Sequence, residues 1–216
     1  MEIWECIAWV AAAYLVGSVP FGYLAGRVNG IDLREHGSHN IGATNAVRVL
    51  GKKWGIPVFV CDFLKGYAPP ALLTWHLGCS ITEFSTEQMG LFLGVLAAAV
   101  LGHTFTCFLR FRGGKGVATT AGALFAISLW VGGTAVLVWV LCMLFTRYVS
   151  LSSLVAGLGM MLAAAARFGG QDGALSTADA MLLGLLGLLY VLVIVKHRSN
   201  IVRLIHGTEP KAFSKH

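Results

Sequence analysis

Residues 179–196, DAMLLGLLGLLYVLVIVK, form an apolar run with charged side chains only at its two ends. A helix of about 20 such residues crosses the ~30 Å hydrocarbon core of a bilayer. Six further runs of this kind lie near 3–26, 54–76, 88–106, 115–130, 132–149 and 150–167. The sequence therefore predicts an all-α, polytopic integral membrane protein with about seven transmembrane helices in one bundle, residues 1–216 forming a single membrane-embedded domain.

The composition agrees, because 56% of the 216 residues are hydrophobic and only 12% are charged. Such a chain is too apolar for a soluble fold of this length. The chain begins with the acidic residues Glu2 and Glu5, and its first apolar run has full spanning length. We therefore expect a membrane helix there rather than a removable signal peptide. The five cysteines form no CxxC pair, which favours small membrane-embedded side chains over disulfides or a metal site.

The basic residues predict the orientation in the membrane, because Lys and Arg accumulate in cytoplasmic loops. The segments after the first, third, fifth and seventh runs carry Arg27, Arg34, Arg48, Lys52, Lys53, Arg110, Arg112, Lys115, Arg147, Arg198, Arg203, Lys211 and Lys215. The opposite ends carry Glu2, Glu5, Glu83, Glu87, Asp172 and Asp179, with Arg167 as their one basic neighbour. We expect the N-terminus outside and the C-terminus in the cytoplasm. Contact with anionic headgroups explains part of this basic face.

Residues 37–48, GSHNIGATNAVR, form the first polar cluster on that face. Small polar side chains and two glycines are typical of a loop that folds closely around a polar ligand. Arg48 would bind a phosphate through its planar guanidinium. A turn-rich connection capped by Ser and Asn is the alternative.

Residues 102–116, GHTFTCFLRFRGGKG, form the second cluster, a glycine-rich loop that also carries Arg112 and Lys115. Close backbone approach combined with cations predicts phosphate binding. The loop is not a Walker A motif, because Leu109 stands where glycine is required and Gly116 follows Lys115 where Ser or Thr is required. A nucleotide triphosphatase is therefore disfavoured.

Residues 196–209, KHRSNIVRLIHGTE, form the third cluster. His197 and Asn200 lie three apart and would share a face if the last membrane helix continues through them. Within the spans, Asp62 and Lys65 are also three apart, and a structural ion pair and a ligand site both fit this spacing. His103 fits either a hydrogen-bonded anchor or a catalyst.

These three clusters, the second extended to Thr119, resemble motifs of the bacterial PlsY family, the acyl-phosphate:glycerol-3-phosphate acyltransferases. DFLKG at 62–66 and RYVSLSS at 147–153 are also similar to that family, so the resemblance covers essentially the whole chain. Two departures are His39, where the family often has Gly, and Thr106, where Pro is usual. The resemblance implies seven helices in a bacterial cytoplasmic (inner) membrane, with a cytosol-facing active site.

The resemblance also implies the reaction. A fatty acyl group passes from acyl phosphate to the sn-1 hydroxyl of glycerol 3-phosphate, giving lysophosphatidic acid and phosphate, in the first acylation of phospholipid synthesis. The implied partners are these two substrates, the lipid bilayer and, transiently, enzymes that supply acyl phosphate. No nucleic acid, cofactor or metal is expected.

By motif position, the resemblance implies the catalytic residues Ser38, Arg48, Lys115, His197 and Asn200. It implies the substrate-binding residues Gly42, Asn45, Lys65, His103, Arg112, Gly113, Gly114, Gly116, Ser153, Arg203 and Glu209. Two phosphate-bearing substrates carry roughly four negative charges, so several cations are needed. The backbone amides of Gly113, Gly114 and Gly116 are expected to bind phosphate oxygens or the oxyanion on the acyl carbonyl. The proton acceptor is either His197 or a substrate phosphate.

Three other functions fit less well. An acyl-CoA or acyl carrier protein donor is disfavoured, because no histidine is followed five residues later by Asp, as an HxxxxD signature requires. A transporter for a phosphorylated metabolite would place its site near the membrane midplane, whereas these clusters lie on one side. A scaffold that recruits partners through its basic face would not need Ser, Asn, His and Gly in dense groups.

Overall fold

The computed structural model describes residues 1–169 and 175–212, and Asp172 and Lys215 of the charge pattern lie outside the described residues. The regular structure of the described part is helical. Its α-helices are α1 Ile3–Ser18, α2 Phe21–Val28, α3 Ala43–Leu50, α4 Lys52–Leu77, α5 Thr86–Thr104, α6 Val117–Ile127, α7 Leu129–Thr146, α8 Val149–Phe168, α9 Thr177–Lys196 and α10 Arg198–Ile205. Short 3₁₀ turns lie at Ile81–Glu83 and Cys107–Leu109.

Six helical segments of the described chain are long and apolar enough to cross a membrane. They are Ile3–Val28, Lys52–Leu77, Thr86–Leu109, Leu129–Thr146, Val149–Phe168 and Thr177–Lys196. The predicted span near 115–130 is instead the 11-residue helix α6. At 1.5 Å per residue it covers roughly half of a bilayer core. The all-α, multi-pass prediction is confirmed, and the predicted count of about seven is approximate.

The chain forms two compact units, Met1–Ala126 and Ile127–His216. In the first unit, glycines let α1 and α5 approach closely. A Cβ atom added at Gly17 would contact the carbonyl of Ala99, and one added at Gly102 would contact the carbonyl of Tyr14. Small residues at such crossings bring helix backbones together in membranes. Phe92 and Leu96 of α5 are fully buried in this unit.

The first span is broken at Val19 and Pro20, between α1 and α2. Where a helix ends, its last carbonyl oxygens lack the N–H donors that a further turn would supply. The hydroxyl of Thr106 donates to the carbonyl oxygen of Ser18 at 2.6 Å, and the ammonium of Lys65 donates to that of Val19 at 2.8 Å. Residues distant in sequence therefore stabilise the break.

Helix α3 packs on the first turns of α4. A Cβ atom at Gly55 would strike the side chain of Val47, so only a residue without a side chain fits there. Ala46 of α3 is buried together with Ala25, Leu33 and Val58. This packing holds the loop at 37–48 next to the second span.

In the second unit, α8 packs between α7 and α9. Gly159 faces Val138 of α7, and Gly157 faces the ring of Tyr190 on α9. The Tyr190 hydroxyl donates to the carbonyl oxygen of Leu154 at 3.1 Å. Helix α10 follows α9 directly after His197, which confirms that the helical path continues nearly unbroken.

Candidate active site

The loop at 37–48 is organised around the buried side chain of Asn45. Its Nδ2 donates to the carbonyl oxygens of Leu33, His36 and Asn40, at 3.1, 3.0 and 2.8 Å. Its Oδ1 accepts from the backbone N–H of Ser38 at 2.8 Å. The amide is thus occupied by backbone groups, which assigns Asn45 to shaping the loop rather than to direct substrate contact.

Ser38 and Gly42 lie on the same loop, and Arg48 lies in the last turn of α3. The Gly42 N–H donates to Oδ1 of Asn40 at 2.8 Å, which fixes the start of α3. Arg48 is exposed, and no hydrogen bond or ion pair engages its guanidinium within residues 1–169 and 175–212. It is therefore available to an anionic ligand, as predicted for a phosphate-binding arginine.

The glycine loop folds back onto the end of α5. The N–H groups of Gly113 and Gly114 donate to the carbonyl oxygens of Thr104 and His103, at 3.2 and 3.1 Å. A Cβ atom at Gly114 would strike the imidazole of His103, and one at Gly113 would strike its carbonyl. These contacts correct the expectation that both amides bind phosphate, because both are already donated within the loop. The two glycines instead permit close packing.

Gly116 ends the loop with φ +84°, a conformation that favours glycine, and α6 begins at the next residue. The hydroxyl of Thr104 would lie 3.1 Å from a Cβ atom added there. The amide of Gly116 stays a predicted donor at the N-terminus of α6. Lys115 beside it is half-buried.

Asp62, Lys65 and His103 form a buried charged group beneath this loop. The Lys65 ammonium lies 2.7 Å from the Asp62 carboxylate, and Nδ1 of His103 lies 3.5 Å from the same oxygen. All three side chains are buried: Lys65 is 3% exposed, Asp62 is 2% exposed and His103 is 5% exposed. Lys65 also donates to Val19. The structural ion pair is therefore present, and substrate contact by Lys65 and His103 stays a prediction.

A cavity of about 340 Å³ brings the first two clusters together. It is lined by Arg34, Glu35, His39, Ile41, Arg112 and Gly113. His39 and Ile41 belong to the loop at 37–48, whereas Arg112 and Gly113 belong to the glycine loop. These two motifs therefore line one cavity within the first unit.

The second unit holds the third cluster, which is centred on the buried carboxylate of Glu209. It accepts from the Ser150 hydroxyl at 2.6 Å, from Nδ2 of Asn200 at 2.7 Å and from Nε of Arg203 at 2.7 Å. Burial alone would raise the pKa of Glu209, but these three donors outweigh it and hold the pKa below its usual value. Glu209 is thus ionised at neutral pH, and it offsets the charge of Arg203 that was expected to neutralise substrate.

His197 lies at the junction of α9 and α10 and is 3% exposed. Its Nδ1 lies 2.8 Å from the carbonyl oxygen of Val193. A carbonyl oxygen only accepts, so Nδ1 carries the proton and, in the neutral ring, Nε2 is the basic nitrogen. This tautomer is the one that a proton acceptor working through Nε2 requires.

Sequence reasoning missed Ser150 and chose Ser153 instead. The Ser153 hydroxyl accepts from Nε1 of Trp139 at 3.2 Å and donates to the carbonyl oxygen of Val149 at 2.9 Å. Ser150, one helical turn earlier, donates to Glu209. The segment RYVSLSS holds three serines, and only the helical phase relative to Glu209 distinguishes them. Ser153 thus packs on α7 and Ser150 takes its expected place in the cluster.

Comparison with known proteins identifies the family of this chain. The sequence profile of the family described as glycerol-3-phosphate acyltransferase matches residues 7–207. The chain belongs to the glycerol-3-phosphate acyltransferase family. Relatives named glycerol-3-phosphate acyltransferase from Trichlorobacter lovleyi and Synechocystis are 42% and 41% identical. These matches cover 94% and 97% of this chain and 95% and 92% of the relatives.

Solved structures of an acyltransferase of this family share the fold. They are described as PlsY (YgiH), an integral membrane glycerol 3-phosphate acyltransferase, in glycerol 3-phosphate and lysophosphatidic acid forms. Their TM-scores are 0.84 and 0.81, with 38% and 37% identity over 96% of this chain and 95% of each PlsY chain. The resemblance to the PlsY family is therefore confirmed, and the chain is a multi-pass membrane protein.

The two departures from the usual acyltransferase motifs have local explanations. His39 has φ 55°, which accounts for the frequent glycine at this position. Its imidazole Nδ1 contacts the carbonyl oxygen of Arg34 at 3.0 Å. Thr106 has φ −62°, which proline also adopts, and its hydroxyl additionally bonds Ser18 across the break in the first span. Both substitutions therefore preserve the backbone path.

Proposed function

We propose that the protein transfers a fatty acyl group from acyl phosphate to the sn-1 hydroxyl of glycerol 3-phosphate, releasing lysophosphatidic acid and phosphate. The observation that carries this proposal is the family match over residues 7–207, which includes the first two polar clusters and the third as far as Gly207. The reaction class fits the residues, because the basic side chains of these clusters can neutralise phosphate charge.

Both substrates carry phosphate, so their mutual repulsion must be offset. Arg48 and Arg112 are exposed cations of the first unit, and Arg112 lines the cavity beside Gly113. Lys115 lies two residues beyond Gly113 on the same loop. Guanidinium groups bind phosphate through paired N–H groups, whereas an ammonium acts as a point charge. We assign phosphate neutralisation to these three side chains.

The acyl transfer itself forms one bond and breaks one. The sn-1 hydroxyl oxygen attacks the acyl carbonyl carbon, and the bond from that carbon to the phosphate oxygen breaks. The hydroxyl proton passes either to Nε2 of His197 or to an oxygen of the departing phosphate. The Nδ1–Val193 hydrogen bond supports the first route, because it leaves Nε2 as the basic nitrogen. A mixed anhydride is already activated, which supports the second.

Glu209 acts indirectly, within the third cluster. Its carboxylate holds Asn200 and Arg203 in fixed positions through hydrogen bonds of 2.7 Å each. A cation so paired contributes little net charge, so we assign Arg203 to positioning and Asn200 to orienting a substrate oxygen. Ser38 is assigned to hydrogen bonding with substrate phosphate from the first loop.

The basic clusters support an N-terminus outside and an active site on the cytoplasmic side of a bacterial inner membrane. On that side a membrane-dissolved acyl phosphate and cytosolic glycerol 3-phosphate both have access. Enzymes that supply acyl phosphate would meet this face transiently.

The donor is tested by purifying the protein in detergent and supplying labelled glycerol 3-phosphate with palmitoyl phosphate, palmitoyl-CoA or palmitoyl carrier protein. We expect lysophosphatidic acid and phosphate from palmitoyl phosphate alone. Product only from a thioester would support an acyltransferase activity and refute acyl phosphate as its donor. No product from any donor would refute the reaction and favour a transporter for a phosphorylated metabolite.

A further inference from the structure

A second cavity of about 550 Å³ adjoins the one beside Gly113. It is lined by Tyr23, Arg34, Phe108, Leu109, Arg110 and Arg112. Arg34 and Arg112 line both cavities, so these two side chains separate the cavity at the glycine loop from an outer one. Arg110, Phe108 and Tyr23 line the outer cavity alone. The proposed acyl transfer assigns no role to Arg34 or Arg110.

Arg34 is held in place by two partners. Its Nε lies 3.0 and 3.1 Å from the two carboxylate oxygens of Asp32, and its Nη2 lies 2.6 Å from one of them. Its guanidinium also stacks over the Tyr23 ring, 4.8 Å from the centroid. The side-chain hydrogen bond from Arg34 lowers the pKa of Asp32 to about 2, so the pair is ionised at neutral pH. A guanidinium fixed along one edge can present its other edge to a second acceptor.

Arg110 lines the same cavity, and its backbone has an unusual conformation. Arg110 and Phe111 have φ 52° and 60°, a left-handed conformation that residues other than glycine adopt rarely. The N–H groups of Phe111 and Arg112 hold this turn by donating to Thr106 and Leu109, at 2.9 and 3.1 Å. As a result, both Arg110 and Arg112 line the outer cavity. Strained backbone of this kind is concentrated at functional sites.

The charge of the outer cavity suits a dianion. Three guanidinium groups line it. Among residues 1–169 and 175–212, the carboxylate paired with one of them is that of Asp32, which offsets a single charge. The remaining two positive charges match a phosphomonoester, which carries close to two negative charges at neutral pH. Phe108, 58% exposed, and Leu109 give the cavity an apolar side that would accommodate a short carbon chain.

We propose that Arg34, Arg110 and Arg112 form an outer binding site for a phosphomonoester, adjoining the cavity at Gly113. The site deepens the proposed function and rests on it, because the ligand is of the class that the reaction uses and produces. The occupant is either a soluble phosphomonoester that enters, such as glycerol 3-phosphate, or a lipid phosphomonoester that leaves, such as lysophosphatidic acid. Arg34 and Arg112, which line both cavities, would pass the phosphate between them.

The test measures binding stoichiometry on the full chain in neutral detergent. Labelled glycerol 3-phosphate is titrated by equilibrium dialysis into the unmodified chain and into the Arg34→Gln/Arg110→Gln variant. We expect a second equivalent in the unmodified chain and its weakening by about tenfold or more in the variant. Lys53→Gln, which removes an exposed charge from α4, is the matched control and should keep the second equivalent. Arg110→Gln alone repeats the test without disturbing the Asp32 pair.

A second arm identifies the source of the phosphate. The same variants are placed in phosphatidylcholine nanodiscs with and without lysophosphatidic acid, and bound lipid is counted by native mass spectrometry. If an additional lysophosphatidic acid binds the unmodified chain but not the variant, the site binds the product. If the variant instead loses the second equivalent of glycerol 3-phosphate, the site binds the substrate. Equal binding by variant and unmodified chain in both arms refutes the site.

The acyltransferase assay separates this proposal from the reaction itself. The Arg110→Gln variant, which changes a side chain of the outer cavity alone, should retain its kcat at saturating substrates. A folded Arg110→Gln variant with kcat reduced a hundredfold would place this arginine in the reacting site and refute a separate outer one. A chain that binds the second equivalent but makes no lysophosphatidic acid from any donor would refute the reaction and leave the site intact.

Discussion

The ammonium of Lys65 lies 2.8 Å from the carbonyl oxygen of Val19, 46 residues earlier in the chain, and 2.7 Å from the carboxylate of Asp62. The buried Lys65 ammonium therefore neutralises the Asp62 carboxylate within the second span. It also supplies a hydrogen-bond donor to the Val19 carbonyl, where the first span is broken. Burial of an ion pair is costly unless its remaining hydrogen-bonding groups are satisfied, and here a carbonyl takes part of that role.

Replacing Lys65 by Met leaves Asp62 as an uncompensated buried charge. We expect a loss of about 3–5 kcal/mol of stability, measured by thermal unfolding in detergent. The double variant Lys65→Met/Asp62→Leu removes both charges and should recover a large part of this loss. If the double variant is no more stable than the single one, the pair does not carry the stability assigned to it.

The spacing of three placed Asp62 and Lys65 on one helical face, and from the sequence both an ion pair and a ligand site fitted that spacing. It could not predict Val19 as a further partner. That contact depends on how α1 and α4 pack, and on the end of α1 leaving the Val19 carbonyl without an N–H donor four residues later. Contacts between distant segments cannot be predicted from the periodicity of a single segment.

The same distinction explains the outcomes at the candidate site. Long apolar runs and clustered cations identified the membrane fold and the polar loops, since composition alone carries that information. The direction of the Gly113 and Gly114 amides and the choice of Ser150 over Ser153 depend on backbone conformation and helical phase. Those features became visible only with the coordinates of the loop and of Glu209.

Gly114→Ala should strongly reduce acyltransferase activity. The added methyl group would strike the His103 imidazole, which is itself enclosed beside Asp62 and cannot move freely. We expect at least a tenfold lower kcat/KM with only a modest change in melting temperature. Gly184→Ala is the matched control, because an added Cβ at Gly184 meets nothing within 4 Å and lies within α9. Unchanged activity in Gly114→Ala would show that the loop does not need this close contact.

Glu209 makes stability depend on pH in the acidic range. Burial opposes its ionisation, but the donors Ser150, Asn200 and Arg203 lower its pKa in the folded protein below the ordinary value of 4.5. A group with a lowered folded pKa contributes stability above its unfolded pKa and loses it as the pH falls through the folded one. The melting temperature should therefore decline below about pH 4.5.

The matched variant for this prediction is Glu209→Gln, which keeps the shape and removes the charge. It should be less stable at neutral pH by about 2 kcal/mol, because it weakens hydrogen bonds to a charged acceptor. It should also show a shallower decline of melting temperature between pH 5 and 3 than the unmodified chain. Parallel declines in the two proteins would assign the acid sensitivity to other carboxylates.

Lys115→Arg distinguishes a fitted phosphate site from general charge attraction. The substitution conserves the charge but replaces a compact ammonium by a larger planar group. In the glycine loop, where Gly114 already contacts an imidazole, we expect about a tenfold or greater loss of kcat/KM. Arg198→Lys, the reverse exchange at an exposed position of α10, should leave activity unchanged. Full activity of Lys115→Arg would favour a face that attracts anions without binding them in a fixed geometry.

His197→Ala decides between the two proton acceptors. The Nδ1 hydrogen bond to Val193 makes Nε2 the basic nitrogen, so a catalytic imidazole loses its function entirely when truncated. General-base catalysis contributes typically 10²–10⁴-fold, and kcat should fall by that factor with little change in the KM for glycerol 3-phosphate. The opposite pattern, a raised KM with kcat intact, would mean that His197 binds substrate while the departing phosphate takes the proton. His206→Ala, at an exposed histidine that ends α10, controls for loss of an imidazole near the same helix and should leave both constants unchanged.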